Sequence, residues 1–231
     1  MFCNHDILVY FVVVAAVAGS RAEEPRTSRA ATPNVFIWGS PRTGTTVTLN
    51  ALANSGYWGN NTHMEPLNMA TLVRMVGGEH LFGVDARNMQ DLVDHFAKDG
   101  PFLIKELVFA LLLNGMPAQY ARILNDTNTK HLFLMRKPWH MMRSFVMSLH
   151  KAGLFSPAMR LVRLGSGFED NVTEFCVDLV HVSLVRKLYR YMTEVLGVGG
   201  DRIALLDFDD LRRAPSVVMP RVAAFLGVPF S

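Results

Sequence analysis

The feature that most constrains the fold is a glycine-containing loop between a short apolar segment and a helical one. Val35 to Trp38 is a continuous apolar run that ends at Gly39, and the residues after Gly44 carry apolar side chains at helical spacing until Gly56. A strand, a glycine loop and a helix in this order are typical of an α/β sheet that holds an anion at the loop.

The loop has the glycine spacing of a Walker A motif but lacks its lysine. In Gly39 to Thr46, GSPRTGTT, Thr45 stands where the lysine is expected, and the basic residue is Arg42. Backbone N–H groups and the start of the helix can still surround a phosphate. Without the lysine, a single 5′-phosphate is favoured over a magnesium nucleoside triphosphate. A tight turn with a helix cap is the simpler alternative, which the flanking strand and helix disfavour.

Three further apolar runs predict buried strands. They are 102–104, 131–135 and 203–206, and each is continuous rather than alternating, as in a parallel sheet that is covered on both faces. Helical patterns separate them, most clearly at 171–196. The sequence therefore predicts an α/β fold with a doubly wound, mostly parallel sheet.

A second group of anion-binding residues follows the run at 131–135. Arg136 stands at the predicted strand end, and Pro138 suits the start of a helix. Ser144 would then lie roughly two turns into that helix, so both side chains can face the same crevice. An arginine and a hydroxyl that meet there would hold a second phosphate.

The N-terminus predicts a targeting segment. Residues 1–22 contain an apolar stretch from Ile7 to Ala18, which is shorter than a typical bilayer span. A cleaved signal peptide, ending near Ala18 or Ala22, is therefore favoured over a signal-anchor, and contact with a membrane is expected only if the segment is retained. Residues 23–33 are polar and predict a linker, and 34–231 a single domain.

Composition narrows the expected partners and compartment. A net charge of +3 without a basic run argues against nucleic acid as a partner. Cys3 lies in the targeting segment and leaves Cys176 alone, so no disulfide framework is expected. The sequons at Asn60, Asn125 and Asn171 fit a glycoprotein of the secretory lumen.

Both anion-binding segments resemble the donor-binding motifs of sulfotransferases. PRTGTT (41–46) is similar to their 5′-phosphosulfate loop, and R-x-P-x-x-x-x-x-S (136–144) to their 3′-phosphate motif. The stretches 64–67 (MEPL), 206–215 (LDFDDLRRAP) and 225–228 (FLGV) resemble segments of the Golgi carbohydrate branch. The likeness extends over 35–228.

The resemblance implies a metal-independent transfer of a sulfuryl group from 3′-phosphoadenosine 5′-phosphosulfate. The acceptor would be a hydroxyl or an amine on a small molecule or glycan, most simply a carbohydrate. Arg136 and Ser144 would hold the 3′-phosphate. The 5′-phosphosulfate would be held by Arg42, Thr43, Gly44, Thr45 and Thr46.

The transfer also needs a base for the acceptor proton and a cation for the leaving phosphate. Arg42 suits the second role. Glu65 is the first candidate for the base, because related luminal enzymes place a glutamate after the first helix. Lys105 and Glu106 lie where cytosolic members carry a lysine followed, two residues on, by a catalytic histidine, but Leu107 replaces that histidine. Glu106 is therefore the second candidate, and an ordinary ion pair is the alternative for either glutamate.

Other interpretations remain open at this stage. A kinase of nucleotides or small metabolites would need a Walker lysine and an acidic magnesium ligand, which Asp207, Asp209 and Asp210 could imitate. A donor-binding module without catalysis is also possible, because family members usually continue past FLGV whereas this sequence ends at Ser231.

We expect acceptor contacts in 153–170, and a location in the Golgi lumen or, as second choice, outside the cell.

Overall fold

The computed structural model describes residues 32–75, 77–85, 88–108, 118–151 and 182–229. The expected targeting segment, most of the linker, Cys176, the sequon at Asn171 and the expected acceptor segment 153–170 lie outside these ranges. Among the described helices, none has the length and apolar character that crossing a bilayer requires.

The core of the domain is a five-stranded sheet in which every neighbouring pair is parallel. Its strand order is β2-β5-β1-β6-β7, and a separate antiparallel hairpin consists of β3 and β4. The prediction of a mostly parallel α/β sheet is confirmed. The strands are β1 (Asn34–Gly39), β2 (Thr62–Met64), β3 (His80–Leu81), β4 (Val84–Asp85), β5 (Leu103–Leu107), β6 (Thr129–Met135) and β7 (Ile203–Asp207).

Helices connect the strands and cover both faces of the sheet. Two of them begin where the sequence predicted: the helix after the glycine loop starts at Thr45, and the helix after β6 starts at Pro138. The described helices are α1 (Thr45–Ala53), α2 (Pro66–Met75), α3 (Met89–Lys98), α4 (Ala118–Leu124), α5 (Pro138–Lys151), α6 (Val182–Arg190), α7 (Phe208–Arg213) and α8 (Pro215–Leu226). A π-helical turn, Tyr191–Val195, continues α6.

Alternation along β1 divides the hydrophobic core between the two faces. Phe36 and Trp38 pack with the apolar residues of α2, α3, α4 and α6, whereas Val35 and Ile37 pack with those of α1, α7 and α8. All four side chains are fully buried. A central strand buried on both faces must be apolar at every position, which explains the continuous run in the sequence.

A buried aromatic contact joins the two strands whose ends carry the anion-binding motifs. Trp38 of β1 donates a 3.0 Å hydrogen bond from Nε1 to Nδ1 of His131 of β6. Nε2 of His131 lies 3.0 Å from the carbonyl oxygen of Leu124, and burial lowers the pKa of His131 to about 3. The neutral ring therefore donates to Leu124 and accepts from Trp38, and the two strands are fixed side by side below their loops.

The structure differs from the sequence prediction at three places. Strand β5 continues to Leu107, so Lys105 and Glu106 lie inside the strand rather than after it. The short strand β2 and the β3-β4 hairpin had no apolar pattern long enough to reveal them. Within the predicted helix 171–196, the described part is α-helical only over 182–190. The N–H of Leu196 then reaches back five residues to Tyr191, which is π-helical geometry.

Candidate active site

The glycine loop leaves β1 and turns into α1 through two residues of left-handed backbone. Arg42 has φ 69° and Gly44 has φ 90°. The backbone N–H and the side-chain hydroxyl of Thr43 both donate to the carbonyl oxygen of Ser40, at 3.3 and 2.8 Å. Gly44 is the N-cap of α1 and offers no side chain to bond its first N–H groups. The first backbone N–H groups of α1 are therefore available for an anion.

Gly44 is also required by a close contact with α7. A Cβ atom on Gly44 would lie 2.0 Å from Cδ2 of Phe208, so the phenyl ring rests directly on the glycine. The same ring faces the guanidinium of Arg136, whose Cζ lies 5.2 Å from the ring centroid. Phe208 thus contacts the loop after β1 and the residue after β6.

Arg136 and Ser144 line one cavity, and Arg42, which the sequence had placed at a separate site, contacts both of them. The Nε of Arg42 donates to Oγ of Ser144 at 3.1 Å, and Nη1 of Arg136 donates to the backbone carbonyl oxygen of Arg42 at 3.1 Å. The two arginines belong to loops that follow neighbouring strands, β1 and β6. The predicted phosphate sites are therefore contiguous and share Arg42.

A buried carboxylate lies behind this pair of arginines. Asp209, at the start of α7, has an ion pair of 3.5 Å from Oδ1 to Nε of Arg136 and a contact of 2.9 Å from Oδ2 to Nδ1 of His140. Its side chain is only 7% exposed. The hydrogen bond with His140 first, and then the charges of His140 and Arg136, lower the pKa of Asp209 against the effect of its burial.

Arg42, Arg136, His140 and Ser144 border a cavity of about 420 Å³ whose walls are strongly basic. Four arginines and His140 contribute to it, whereas Asp209 on the far side of Arg136 is not among its lining residues. Such a positive, half-enclosed surface attracts a multiply charged anion. The lining residues are Arg42, Arg136, His140, Arg143, Ser144, Met147 and Arg212.

The two candidate bases lie together at the end of β2 and β5. Glu65 follows β2, has a left-handed backbone with φ 55°, and forms an ion pair with Lys105. Its other carboxylate oxygen accepts a 2.9 Å hydrogen bond from Nδ2 of Asn68. Lys105 lies in register with Ile37, which packs against α1, so the ion pair lies on the face of the sheet that α1 covers.

Glu106 points to the opposite face and is fully buried. Its carboxylate accepts hydrogen bonds from the backbone N–H groups of Leu67 (2.8 Å), Asn68 (3.3 Å) and Leu107 (3.0 Å). Burial first, and then the nearby charge of Glu65, raise the pKa of Glu106 to about 8, although the backbone donors oppose that shift. Glu106 therefore anchors the first turn of α2, directly after Glu65.

The remaining loop residues lie at the start of α1, where the sequence placed them. Thr43 and Thr45 are buried, and Thr46 is half-buried. A Cβ atom on Gly39 would lie 2.5 Å from Oγ1 of Thr43 and 2.6 Å from Cγ2 of Thr45, so Gly39 permits the tight packing of the loop.

Sequence reasoning missed four residues of the site. Arg143 and Arg212 line the cavity, and His140 and Asp209 join α5 to α7. His140 and Arg143 lie within the motif at 136–144, and Asp209 and Arg212 lie within the stretch at 206–215, so their positions in the sequence were the available signal. Trp139, which lies between the motif residues Arg136 and Ser144, is 69% exposed and is not among the cavity's lining residues.

Asp207, Asp209 and Asp210, which a kinase could use as magnesium ligands, have other contacts in the structure. Asp207 accepts a 2.7 Å hydrogen bond from the N–H of Asp209 and caps the helix, and Asp210 pairs at the surface with Arg213. Within the described ranges, no group of three His, Cys, Asp or Glu side chains could hold a metal ion.

Fold and site together define an α/β protein with a glycine loop and an uncapped helix N-terminus after its first strand and a basic cavity after the neighbouring one. Residues 32–231 match the family model described as a sulfotransferase domain. That match covers most of the sequence, and the chain belongs to the sulfotransferase family. Its reaction is therefore the transfer of a sulfuryl group.

One solved structure supports the fold, and two others are reported beside it as similar to this chain. The sulfotransferase domain from the curacin biosynthetic pathway is 19% identical, with a TM-score of 0.54 over 88% of this chain and 76% of that one. A sulfotransferase from Alicyclobacillus acidocaldarius is 18% identical, with a TM-score of 0.49 over 87% and 83%. Retinol dehydratase in complex with androsterone and the inactive cofactor PAP is 17% identical, with a TM-score of 0.42 over 87% and 62%. No sequence among the curated proteins matches the chain.

Proposed function

We propose that this chain transfers the sulfuryl group of 3′-phosphoadenosine 5′-phosphosulfate to a hydroxyl or amine acceptor, with a carbohydrate as the first choice. One observation carries the choice of donor. The phosphate loop after β1 and the arginine cavity after β6 are joined by the hydrogen bond from Arg136 to the Arg42 carbonyl oxygen. A donor with two separate phosphate groups matches two adjoining anion sites.

The loop suits the 5′-phosphosulfate, because it presents the uncapped N-terminus of α1. The cavity suits the 3′-phosphate, because its arginines offer several N–H donors around Ser144. Arg42 lies between the two positions, since its backbone belongs to the loop and its side chain reaches Ser144. It can therefore stabilise charge on the phosphate that leaves.

Glu65 is the better of the two candidate bases. Its side chain is 13% exposed, whereas Glu106 is fully buried and occupied by three backbone N–H groups. Glu65 also holds a left-handed backbone that costs a non-glycine residue about 1–2 kcal/mol, and such strain is more common at functional sites than elsewhere. Lys105 and Asn68 fix the direction of its carboxylate.

The chemical step is an in-line displacement. The acceptor oxygen or nitrogen forms a bond to sulfur while the bond from sulfur to the 5′-phosphate oxygen breaks, and its electron pair leaves with adenosine 3′,5′-bisphosphate. Glu65 takes the acceptor proton, and Arg42 and the loop N–H groups stabilise the growing charge on the leaving phosphate.

Titration calorimetry with adenosine 3′,5′-bisphosphate tests the donor assignment. Binding in the absence of metal is expected, and Arg136→Ala should weaken it about 30-fold or more because it removes a charged fork from a phosphate site. Arg213→Ala is the matched control, since it removes one charge from an arginine that is exposed and pairs with Asp210 at the surface.

The outcomes separate the candidate functions. Tight binding that needs Arg136 but not Arg213 supports the proposal. Binding of magnesium ATP alone would favour a metabolite kinase, and binding without any transfer would indicate a donor-binding module that lacks catalysis. When the sulfuryl donor carries a sulfur label, the label should appear in a carbohydrate acceptor in preference to a phenol or an amine.

We also propose that the chain resides in the secretory lumen, most simply in the Golgi. The apolar stretch at 7–18 and the sequons support this, and of the sequons Asn60 is exposed in the turn before β2. Expression of the full chain in a eukaryotic cell should give a form whose electrophoretic mobility increases on deglycosylation, and Asn60→Gln should reduce that change. Mobility that deglycosylation leaves unchanged would argue against luminal passage.

A further inference from the structure

Two consecutive residues of α7, Phe208 and Asp209, contact both of the anion-binding segments. The Phe208 ring rests on Gly44 of the loop and faces the Arg136 guanidinium, and Asp209 pairs with Arg136 and His140. Phe208 follows Thr46, the last residue of the loop, by 162 positions in the sequence. Neither is among the residues that line the cavity.

The donors of Arg136 show what Asp209 contributes. A guanidinium has five N–H groups in a rigid plane. The Nε edge faces Asp209, and one N–H of Nη1 is used by the Arg42 carbonyl oxygen. Among the described residues, the other three N–H groups, on Nη1 and Nη2, have no hydrogen-bond partner, and Arg136 lines the cavity. The 3.5 Å contact is an ion pair without a hydrogen bond, so the carboxylate acts on the Nε edge of the guanidinium through its charge.

Arg136, which pairs with Asp209, also contacts the backbone of the glycine loop. Arg42 has a strained φ of 69°, and its carbonyl oxygen is bound by Arg136. Arg136 in turn is held between the charge of Asp209 and the ring of Phe208. A continuous series of contacts therefore runs from the carboxylate of Asp209 through Arg136 to the carbonyl oxygen of Arg42.

We infer that Asp209 is a positioning residue for the donor site: it holds Arg136 so that the guanidinium both faces the 3′-phosphate and fixes the Arg42 carbonyl, with Phe208 packing the pair against Gly44. This role rests on the proposed donor. A buried acid beside a binding arginine is not a ligand for the anion, which it would repel, so its effect must pass through Arg136 and His140.

Asp209→Asn tests the inference, because it keeps the shape of the side chain and removes the charge. The matched control is Asp210→Asn on the same helix, whose carboxylate is exposed and pairs with Arg213. The dissociation constant for adenosine 3′,5′-bisphosphate should rise about tenfold in Asp209→Asn and stay within twofold in the control. The KM for the sulfuryl donor should rise likewise, with kcat at saturating donor within about threefold.

A second measurement does not depend on the identity of the donor. Hydrogen–deuterium exchange of the free protein should become faster at the loop residues 39–46 in Asp209→Asn but not in Asp210→Asn. Phe208→Leu should give the same faster exchange, and it provides a second variant if Asp209→Asn folds poorly. The strands β1 and β6 should keep their protection from exchange in Asp209→Asn and in Phe208→Leu.

The outcomes distinguish this inference from the function on which it rests. Faster loop exchange together with weaker binding supports the positioning role. Unchanged loop exchange in folded Asp209→Asn and Phe208→Leu would overturn it, whether or not the bisphosphate binds. A wild-type protein that fails to bind the bisphosphate, but whose loop exchange depends on Asp209, would overturn the choice of donor and with it the role at the 3′-phosphate, and would support only the effect of Asp209 on the loop.

Discussion

The backbone carbonyl oxygen of Arg42 accepts a 3.1 Å hydrogen bond from Nη1 of Arg136, and so connects two loops that are 94 residues apart in sequence. A hydrogen bond from a charged donor contributes about 1.5–3 kcal/mol, which is enough to offset the strain of the left-handed backbone at Arg42. The loop conformation and the direction of the arginine are therefore set together.

Gly44→Ala is expected to disrupt this arrangement more than an ordinary turn substitution. Gly44 and Gly56 both have positive φ, 90° and 76°, so alanine introduces backbone strain of about 1–2 kcal/mol at either. Only at Gly44 does the new Cβ also meet Phe208, whereas Gly56 has no heavy atom within 4 Å of that position. Chemical denaturation should show a further loss of about 1–3 kcal/mol for Gly44→Ala. Equal losses in the two variants would show that the Phe208 contact is easily relieved.

Ser144→Ala should weaken donor binding without lowering stability. The substitution removes the hydroxyl that accepts from Nε of Arg42 and borders the cavity, at a cost of about 1 kcal/mol, or a fewfold in the dissociation constant for the bisphosphate. Ser216→Ala, at an exposed position of α8, is the control. Calorimetry and thermal melting distinguish the two effects, and an unchanged affinity would place the phosphate away from Ser144.

Glu65→Gln should lower kcat and leave donor binding intact. Loss of a general base typically reduces the rate by a factor of about 10²–10⁴, while the amide can still accept a hydrogen bond from Lys105. Glu194→Gln, which affects an exposed pair with Arg190, provides a control for charge removal. Initial rates at saturating donor measure the effect. A variant that retains full kcat would transfer the role of base to another residue.

Glu106 predicts a pH-dependent stability. Its pKa is raised from 4.5 to about 8, so between these values the folded protein keeps a proton that the unfolded chain releases. The free energy of unfolding therefore decreases as pH rises through this window, by up to about 1.4 kcal/mol per pH unit. Glu106→Gln cannot ionise and should lose this dependence, so its stability relative to the wild type increases from pH 5 to pH 8.

Urea denaturation of both proteins at several pH values measures that difference. The buried histidines have the opposite effect at low pH, since the pKa of His63 is lowered to about 4 and that of His131 to about 3. Their contributions are common to both proteins and cancel in the comparison. A constant difference between the two proteins from pH 5 to pH 8 would mean that Glu106 is ionised throughout.

The local parts of the site could be predicted because they depend on short-range chemistry. Gly39 and Gly44 mark the turn between a buried strand and a helix, and Pro138 marks the start of the next helix, which places Ser144 toward Arg136. The glutamates could be proposed only as alternatives, because burial distinguishes them and burial depends on packing.

By itself, the sequence determined the strand, the glycine loop, the following helix and the arginine motif, because periodicity, capping residues and steric limits act within a few residues. Only the tertiary structure decided that β1 lies between β5 and β6, and that Glu106 reaches the N–H of Leu67. It also brought Asp209 to Arg136, 73 residues away by the difference of their numbers. Contacts of this kind arise from the order of strands and the packing of helices on both faces, which no local pattern specifies.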